Sequence, residues 1–265
     1  MTLPDWKSYL AMVQHEVPAA PTPTPTPPIS GDDMPIMGPA SGSVEQAVNW
    51  FDKKIANDNG YTRYDITTIV QSYQSLGDMV GLDWFLALAQ MGHETGHLSS
   101  WWSARPRRNP AGIGVTGATR NGTPDAPPGR GWCWDDREGG KWREGWAFPT
   151  WDGHSVPAHL GRLLAYTMRD EQANPIQLAL INYALSYRPL PANLRGVAPT
   201  ITGLNGGCAG HHLRPDHRQV GAAYAWRIVS IRPSRITCRI ARVQTALTPY
   251  CAPTNCCSIN RVRIA

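Results

Sequence analysis

Residues 82 to 94, LDWFLALAQMGHE, restrict most strongly what this chain can fold into. The segment is apolar on nearly every side and ends on one carboxylate, Glu94. A helix that is hydrophobic all round has no solvent face and has to lie in the middle of a domain. The chain therefore needs further helices to enclose it, and Glu94 is delivered to the edge of the core. Gly96 is the expected stop.

The enclosing elements can be read on both sides. SVEQAVNWFDKKIANDNG opens with Ser43 and Gln46 as a capping box. Its Val44, Val48, Phe51 and Ile55 recur at helical spacing up to Asn59-Gly60. A second helix is expected from about Asp65, with Ile66, Ile69, Val70, Tyr73 and Leu76 on one face and Gly77 at its end. RPRRNPAGIGVTGATRNGTPDAPPGRG is too rich in Gly and Pro for regular structure. WCWDDREGGKWREGWAFPTW reads as a hairpin turning at Gly139-Gly140. Helical signals return in SVPAHLGRLLAYTM, with Pro157 in the first turn, and in NPIQLALINYALSY, with Asn174 as cap and Pro175 next. Helices, an aromatic hairpin and helices again predict an α+β fold, a helical body with a small β-hairpin lobe.

Composition divides the chain into three parts. Residues 1–42 read as an N-terminal segment and linker: a short helix is allowed with nothing to anchor it, and PAAPTPTPTPPISGDDMP favours extended polyproline geometry. Residues 43–206 form the expected catalytic domain. The tail, 207–265, is Arg- and Cys-rich. From Gly206 onward there are nine Arg, no Lys and one acid, which leaves 16 basic and 19 acidic residues in the rest, a net of −3. The overall +5 is therefore no sign of nucleic-acid binding by the main domain. Codons for Cys208–Gln219 read one nucleotide later permit Thr-Thr-Tyr-Gly-Gln-Thr-Ile-Ala, closer to an enzyme's closing segment. The expectation is a shifted reading frame near Gly206-Gly207 and a poorly ordered tail. A genuine basic tail binding anionic wall polymers is the alternative. Cys133 stands apart from the five tail cysteines and reads as a small buried or strand residue rather than a nucleophile. No run of 18 apolar residues spans a membrane, and the start shows no basic-then-apolar secretory signal.

His93-Glu94-Thr95-Gly96-His97 matches the two-histidine zinc pattern. A zinc peptidase would need a third ligand. Ser100 and Ser103 stand where the longer motif has Gly and His, which leaves Glu138 or Glu144 to serve. The other reading uses Glu94 alone, as a desolvated carboxyl that keeps a proton for a leaving group. Pairing of Glu94 with Arg105, Arg107 or Arg108 is its structural alternative.

Residues 44 to 206 resemble the glucosaminidase family of peptidoglycan hydrolases, lysozyme-like enzymes also catalogued with endo-β-N-acetylglucosaminidases and amidases. LDWFLALAQMGHETGHLSSWW, NPAGIGVTG and FPTWDGHSVPAHLGRLLAYT carry the resemblance. Ala89, Glu94, Thr95, Gly96, Asn109, Gly112 and Ile113 fall in order on the family's helix-end and loop motifs. It implies cleavage of β-1,4 bonds in wall glycan with Glu94 as general acid, no cofactor and no metal. It also implies a wall-facing or secreted monomer. A second carboxylate is implied on the hairpin: Asp136 or Glu138, with Asp135 and Glu144 as further candidates. Strand alternation would put Asp136 and Glu138 on one face and Asp135 on the other. Asn109 is the implied substrate-binding loop residue, and Trp101, Trp102, Trp146 and Tyr166 are candidate sugar platforms, at least half of them core. A wall-binding module that has lost catalysis is a third reading.

Overall fold

The computed structural model describes residues 4–13, 33–54 and 60–204, apart from the Glu138 side chain. The Pro-Thr stretch to residue 32 and the tail beyond 204 lie outside the described residues, as do the expectations placed on them. The fold is α+β, with six α-helices and a three-stranded antiparallel sheet among the described residues.

The central helix α4 (Trp84–Glu94) buries every residue from Trp84 to Ala89, with Met91 and Gly92. Asp83 starts it: one carboxylate oxygen accepts from the N–H groups of Phe85 and Leu86, the other from Ser41. Helix α2 (Val44–Asp52) has the expected capping box at Ser43 and Gln46 but stops at Asp52. Its Trp50 and Phe51 rings fit against Gly92, where a side chain would come within about 3.1 Å of both.

Helix α3 (Arg63–Val80) begins at a Thr62–Asp65 capping box and runs past Gly77 to a left-handed Gly81. Gly77 does not end the helix. A Cβ there would come 2.5 Å from the Cβ of Trp84, so the missing side chain lets α4 start close by. Helices α5 (Val156–Thr167) and α6 (Pro175–Tyr187) have the predicted prolines in their first turns. A short π-type turn, Trp151–Ser155, leads into α5, so the segment read as the far end of the hairpin is not strand.

The N-terminal segment is anchored, contrary to expectation. Helix α1 (Trp6–Val13) inserts Trp6, 4% exposed, edge-on against Tyr183 of α6. Residues 33–42 also belong to the body: Ile36 is 1% exposed, and its N–H donates to the Pro199 carbonyl while its carbonyl accepts from Asp83. Ala198 and Leu204 are core residues, and the Ala198 N–H closes on Tyr166. Segment 188–204 thus packs on α5, and α1 on α6.

The lobe holds β1 (Thr119–Arg120), β2 (Trp132–Asp135) and β3 (Lys141–Glu144) in the order β1-β3-β2. Trp134 pairs with Trp142, and Cys133 with Arg143. The turn lies at left-handed Gly139 and Gly140, as predicted. Strand β1 falls inside the segment read as pure loop; two residues are too short for any periodicity to show.

Helices α5 and α6 pack closely at Gly161. A Cβ on Gly161 would overlap the Leu180 carbonyl oxygen and stand 2.8 Å from Ala184. Gly161→Ala is expected to cost about 1–3 kcal/mol or more through overpacking, despite alanine's better helix propensity. Urea denaturation checks this, and an unchanged midpoint would mean that the two helices are not in such contact.

Candidate active site

Helix α4 ends in a Schellman arrangement. His97 N–H donates to the Gly92 carbonyl at 2.7 Å, Gly96 N–H donates to His93 at 3.2 Å, and Gly96 is left-handed at φ 56°. Glu94 is thus the last helical residue. His97 and Leu98 also have positive φ, 60° and 66°, an uncommon conformation for side-chain-bearing residues. The buried Thr95 hydroxyl holds this turn by donating to the Met91 carbonyl at 2.7 Å and accepting from Leu98 N–H at 2.9 Å.

The Glu94 side chain reaches solvent, yet enough protein surrounds it that desolvation holds its pKa above the ordinary carboxyl range. Among the described residues no hydrogen bond or neighbouring charge offsets that rise. None of Arg105, Arg107 and Arg108 neutralises it: Arg105 binds Asp65, Arg107 binds the Trp101 carbonyl, and Arg108 binds the Pro106 carbonyl.

The two histidines of the zinc pattern do not share a helix. His93 is in the last turn of α4, while His97 lies beyond the left-handed stop with its ring 4.8 Å from that of Trp50. Among the described residues no three His, Cys, Asp or Glu side chains come together to hold a metal ion.

Beneath α4 runs a polar chain that the periodicities did not reveal. Tyr73 Oη lies 2.7 Å from His159 Nδ1, and His159 Nε2 lies 3.2 Å from Gln90 Oε1. Burial drives the His159 pKa down to about 3, so the ring is neutral and carries one proton. Tyr73 is fully buried, and this is the bond its hydroxyl makes among the described residues. If Nδ1 held the proton, the Tyr73 O–H would lack an acceptor, which costs about 1–3 kcal/mol. The proton therefore sits on Nε2, Tyr73 donates to Nδ1, and His159 donates to the Gln90 carbonyl oxygen. A lone His on the apolar face of α5 was the available signal.

Several expected site residues do other work. Asn109 is completely buried with its amide fully used: Nδ2 donates to the carbonyls of Ile113 and Trp146, both at 2.9 Å, and Oδ1 accepts from Ile113 N–H at 2.8 Å and Ala111 N–H at 3.3 Å. It shapes the loop and offers nothing to a ligand. Tyr166 is 5% exposed and belongs to the core, with no face for a sugar. Trp101 is half-buried and carries the Arg107 guanidinium 3.8 Å from its ring centre, with Arg137 and Arg143 farther out. Trp102 is half-buried edge-on to Trp101 and packs where Gly145 has no side chain. Trp146 is half-buried and pinned by its indole N–H to the Tyr187 carbonyl at 2.8 Å.

Alternation sorts the hairpin carboxylates only as far as Asp135, because a 3-10 turn replaces the strand at Arg137–Gly139. Asp135 is fully covered by Arg137 at 2.8 Å and Arg143 at 2.5 Å, which hold its carboxyl far below the usual range. Two guanidiniums on a thin lobe provide that cover, rather than a deep core. Asp136 is exposed, and Glu144 is half-buried and accepts from the Thr116 hydroxyl. Burial pushes the Cys133 thiol up to about 11, so it stays protonated, as expected of a strand residue. No family model, curated protein or solved structure matches this chain.

Asp135 ionises more readily in the folded chain than in the unfolded one. Its contribution to stability is present above the unfolded pKa, near 4, and fades as pH falls towards the depressed folded value. Asp135→Asn is expected to lower the melting temperature at pH 7, with the difference from wild type shrinking below about pH 4. Asp136→Asn should leave it nearly unchanged. Thermal melts across pH decide this, and equal effects of the two variants would refute the assignment.

Proposed function

We propose that this chain is a peptidoglycan hydrolase that cleaves β-1,4 bonds next to N-acetylglucosamine in bacterial wall glycan, with Glu94 as the general acid. The observation that carries the reading is the Glu94 carboxyl: solvent-reachable, desolvated and without an offsetting partner, on the end of a rigid buried helix. The glucosaminidase-like order of Glu94-Thr95-Gly96 and Asn109 to Ile113 supports it from the sequence side.

A raised pKa keeps the carboxylic acid protonated where an ordinary glutamate has already lost its proton. The acid passes that proton to the glycosidic oxygen as the bond to the anomeric carbon breaks. Asp135 is committed to two arginines, so Asp136 and Glu138 remain the candidates for a second carboxylate, with Glu144 tied to Thr116. The half-buried Trp101, Trp102 and Trp146 border the lobe and offer ring edges to a glycan. The substrate implies a wall-facing or secreted protein acting as a monomer, without cofactor. Among the described residues no helix is long and apolar enough to cross a membrane.

Glu94→Gln keeps the shape but cannot donate a proton. Release of reducing ends from purified peptidoglycan should fall about 10²–10⁴-fold. In wild type, activity should be held at low pH and fall as pH rises through the raised Glu94 pKa, with that limb above an ordinary glutamate's. Near-normal turnover in the variant, or loss of activity on chelation with recovery on adding zinc, would overturn the reading in favour of another mechanism.

A further inference from the structure

The hydrogen-bond direction fixed by Tyr73 and His159 determines which end of the Gln90 amide is left free. His159 Nε2–H occupies the Gln90 carbonyl oxygen, so the amide is held with its NH2 turned away from the buried ring. Gln90 is half-buried, and its amide nitrogen donates to nothing among the described residues. It stands one helical turn before Glu94 on the same side of α4, where such pairs have their Cβ atoms about 5–6 Å apart. The neighbours on this helix are otherwise buried and apolar, so Gln90, His93 and Glu94 make up its accessible end.

The geometry points to Gln90 as a specificity residue that donates from its amide nitrogen to the acetamido carbonyl oxygen of the sugar beside the bond being cleaved. This rests on the proposed glycosidase reading and adds to it the element that reads the substrate. Three features decide the chemistry. The group left without a partner among the described residues is a donor, the amide nitrogen, while the oxygen is turned to His159. It is neutral, which suits an amide oxygen rather than a carboxylate. Its distance from Glu94 suits a substituent on the ring whose glycosidic oxygen the acid protonates. The buried relay makes the donor rigid: rotating the amide would place NH2 against N–H and leave His159 without its acceptor.

The test compares purified wall glycan in its native state with the same glycan chemically N-deacetylated. The readout is the ratio of kcat/KM on the two. Gln90→Glu retains the acceptor for His159 while exchanging the donor for an oxygen, and so protects the fold. Gln90→Met is the uncharged companion, needed because a new carboxylate would attract the amines of deacetylated glycan. Wild type should prefer native glycan, and both variants should lose about tenfold of that preference. An unchanged ratio in either variant overturns the assignment, even if Glu94→Gln is inactive. If Glu94→Gln stays active, the glycosidase reading fails instead. The Gln90 assignment is then judged by calorimetric binding of the same two glycans: loss of the native preference in both variants supports it, and an unchanged preference overturns it.

Discussion

Everything in this molecule depends on removing α4 from water. Its apolar side chains can be satisfied only if α2, α3, α5 and the 33–42 segment close around it, and each element meets it by a specific device. Gly92 admits the rings of Trp50 and Phe51, Gly77 admits Trp84, and Gly42 admits Phe85. Asp83 fixes one end and the Schellman turn at Gly96 the other. A helix held at both ends and enclosed along its length cannot easily slide or rotate. Whatever its final turn presents is therefore located to within the tolerance of a packed core. That suits a catalytic acid, whose usefulness depends on position as much as on pKa.

The lobe is built on another principle. It has no deep interior of its own, and its Asp135 is covered by arginine side chains rather than by apolar packing. Arg107, Arg137 and Arg143 gather around Trp101, so a guanidinium layer joins the lobe to the loop that follows Glu94. Electrostatic joints of this kind are weaker and more sensitive to salt than the body's packing. The lobe therefore rests on weaker and more salt-sensitive contacts than those that hold α4.

Much of the body was legible in the sequence because its signals are local. Capping boxes at Ser43 and Asn174, prolines at helix starts and the Gly139-Gly140 turn all concern residues within a few positions of one another. What sequence could not supply were the consequences of distant approach. Gly77 has the look of a helix stop, yet its meaning lies in Trp84 packing against it. The role of Trp6 depends on Tyr183, about 180 residues away in the chain. Among site residues, the place of Glu94 could be read because the helix that carries it could be read. The burial of Asn109 and Tyr166, and the pairing of Asp135 with two arginines, depend on which side of a loop or strand meets protein. Composition is silent on that. Gln90 escaped notice because its significance lies in the direction of a proton on a ring contributed by another helix.

The bridge between the segment at Met34–Ile36 and that at Pro199–Ile201 has a mechanical consequence. The two run antiparallel, with Ile201 N–H bonded to the Met34 carbonyl and Ile36 N–H to the Pro199 carbonyl, and Asp33 binds Thr202 at the outer end. Tension transmitted through residues 33 and 204 would load these bonds one after another, as in peeling, rather than all together in shear. Such a pull would open the clasp bond by bond from its outer end. Its release would free Ile36 from the Asp83 N–H and loosen the start of the very helix that locates Glu94.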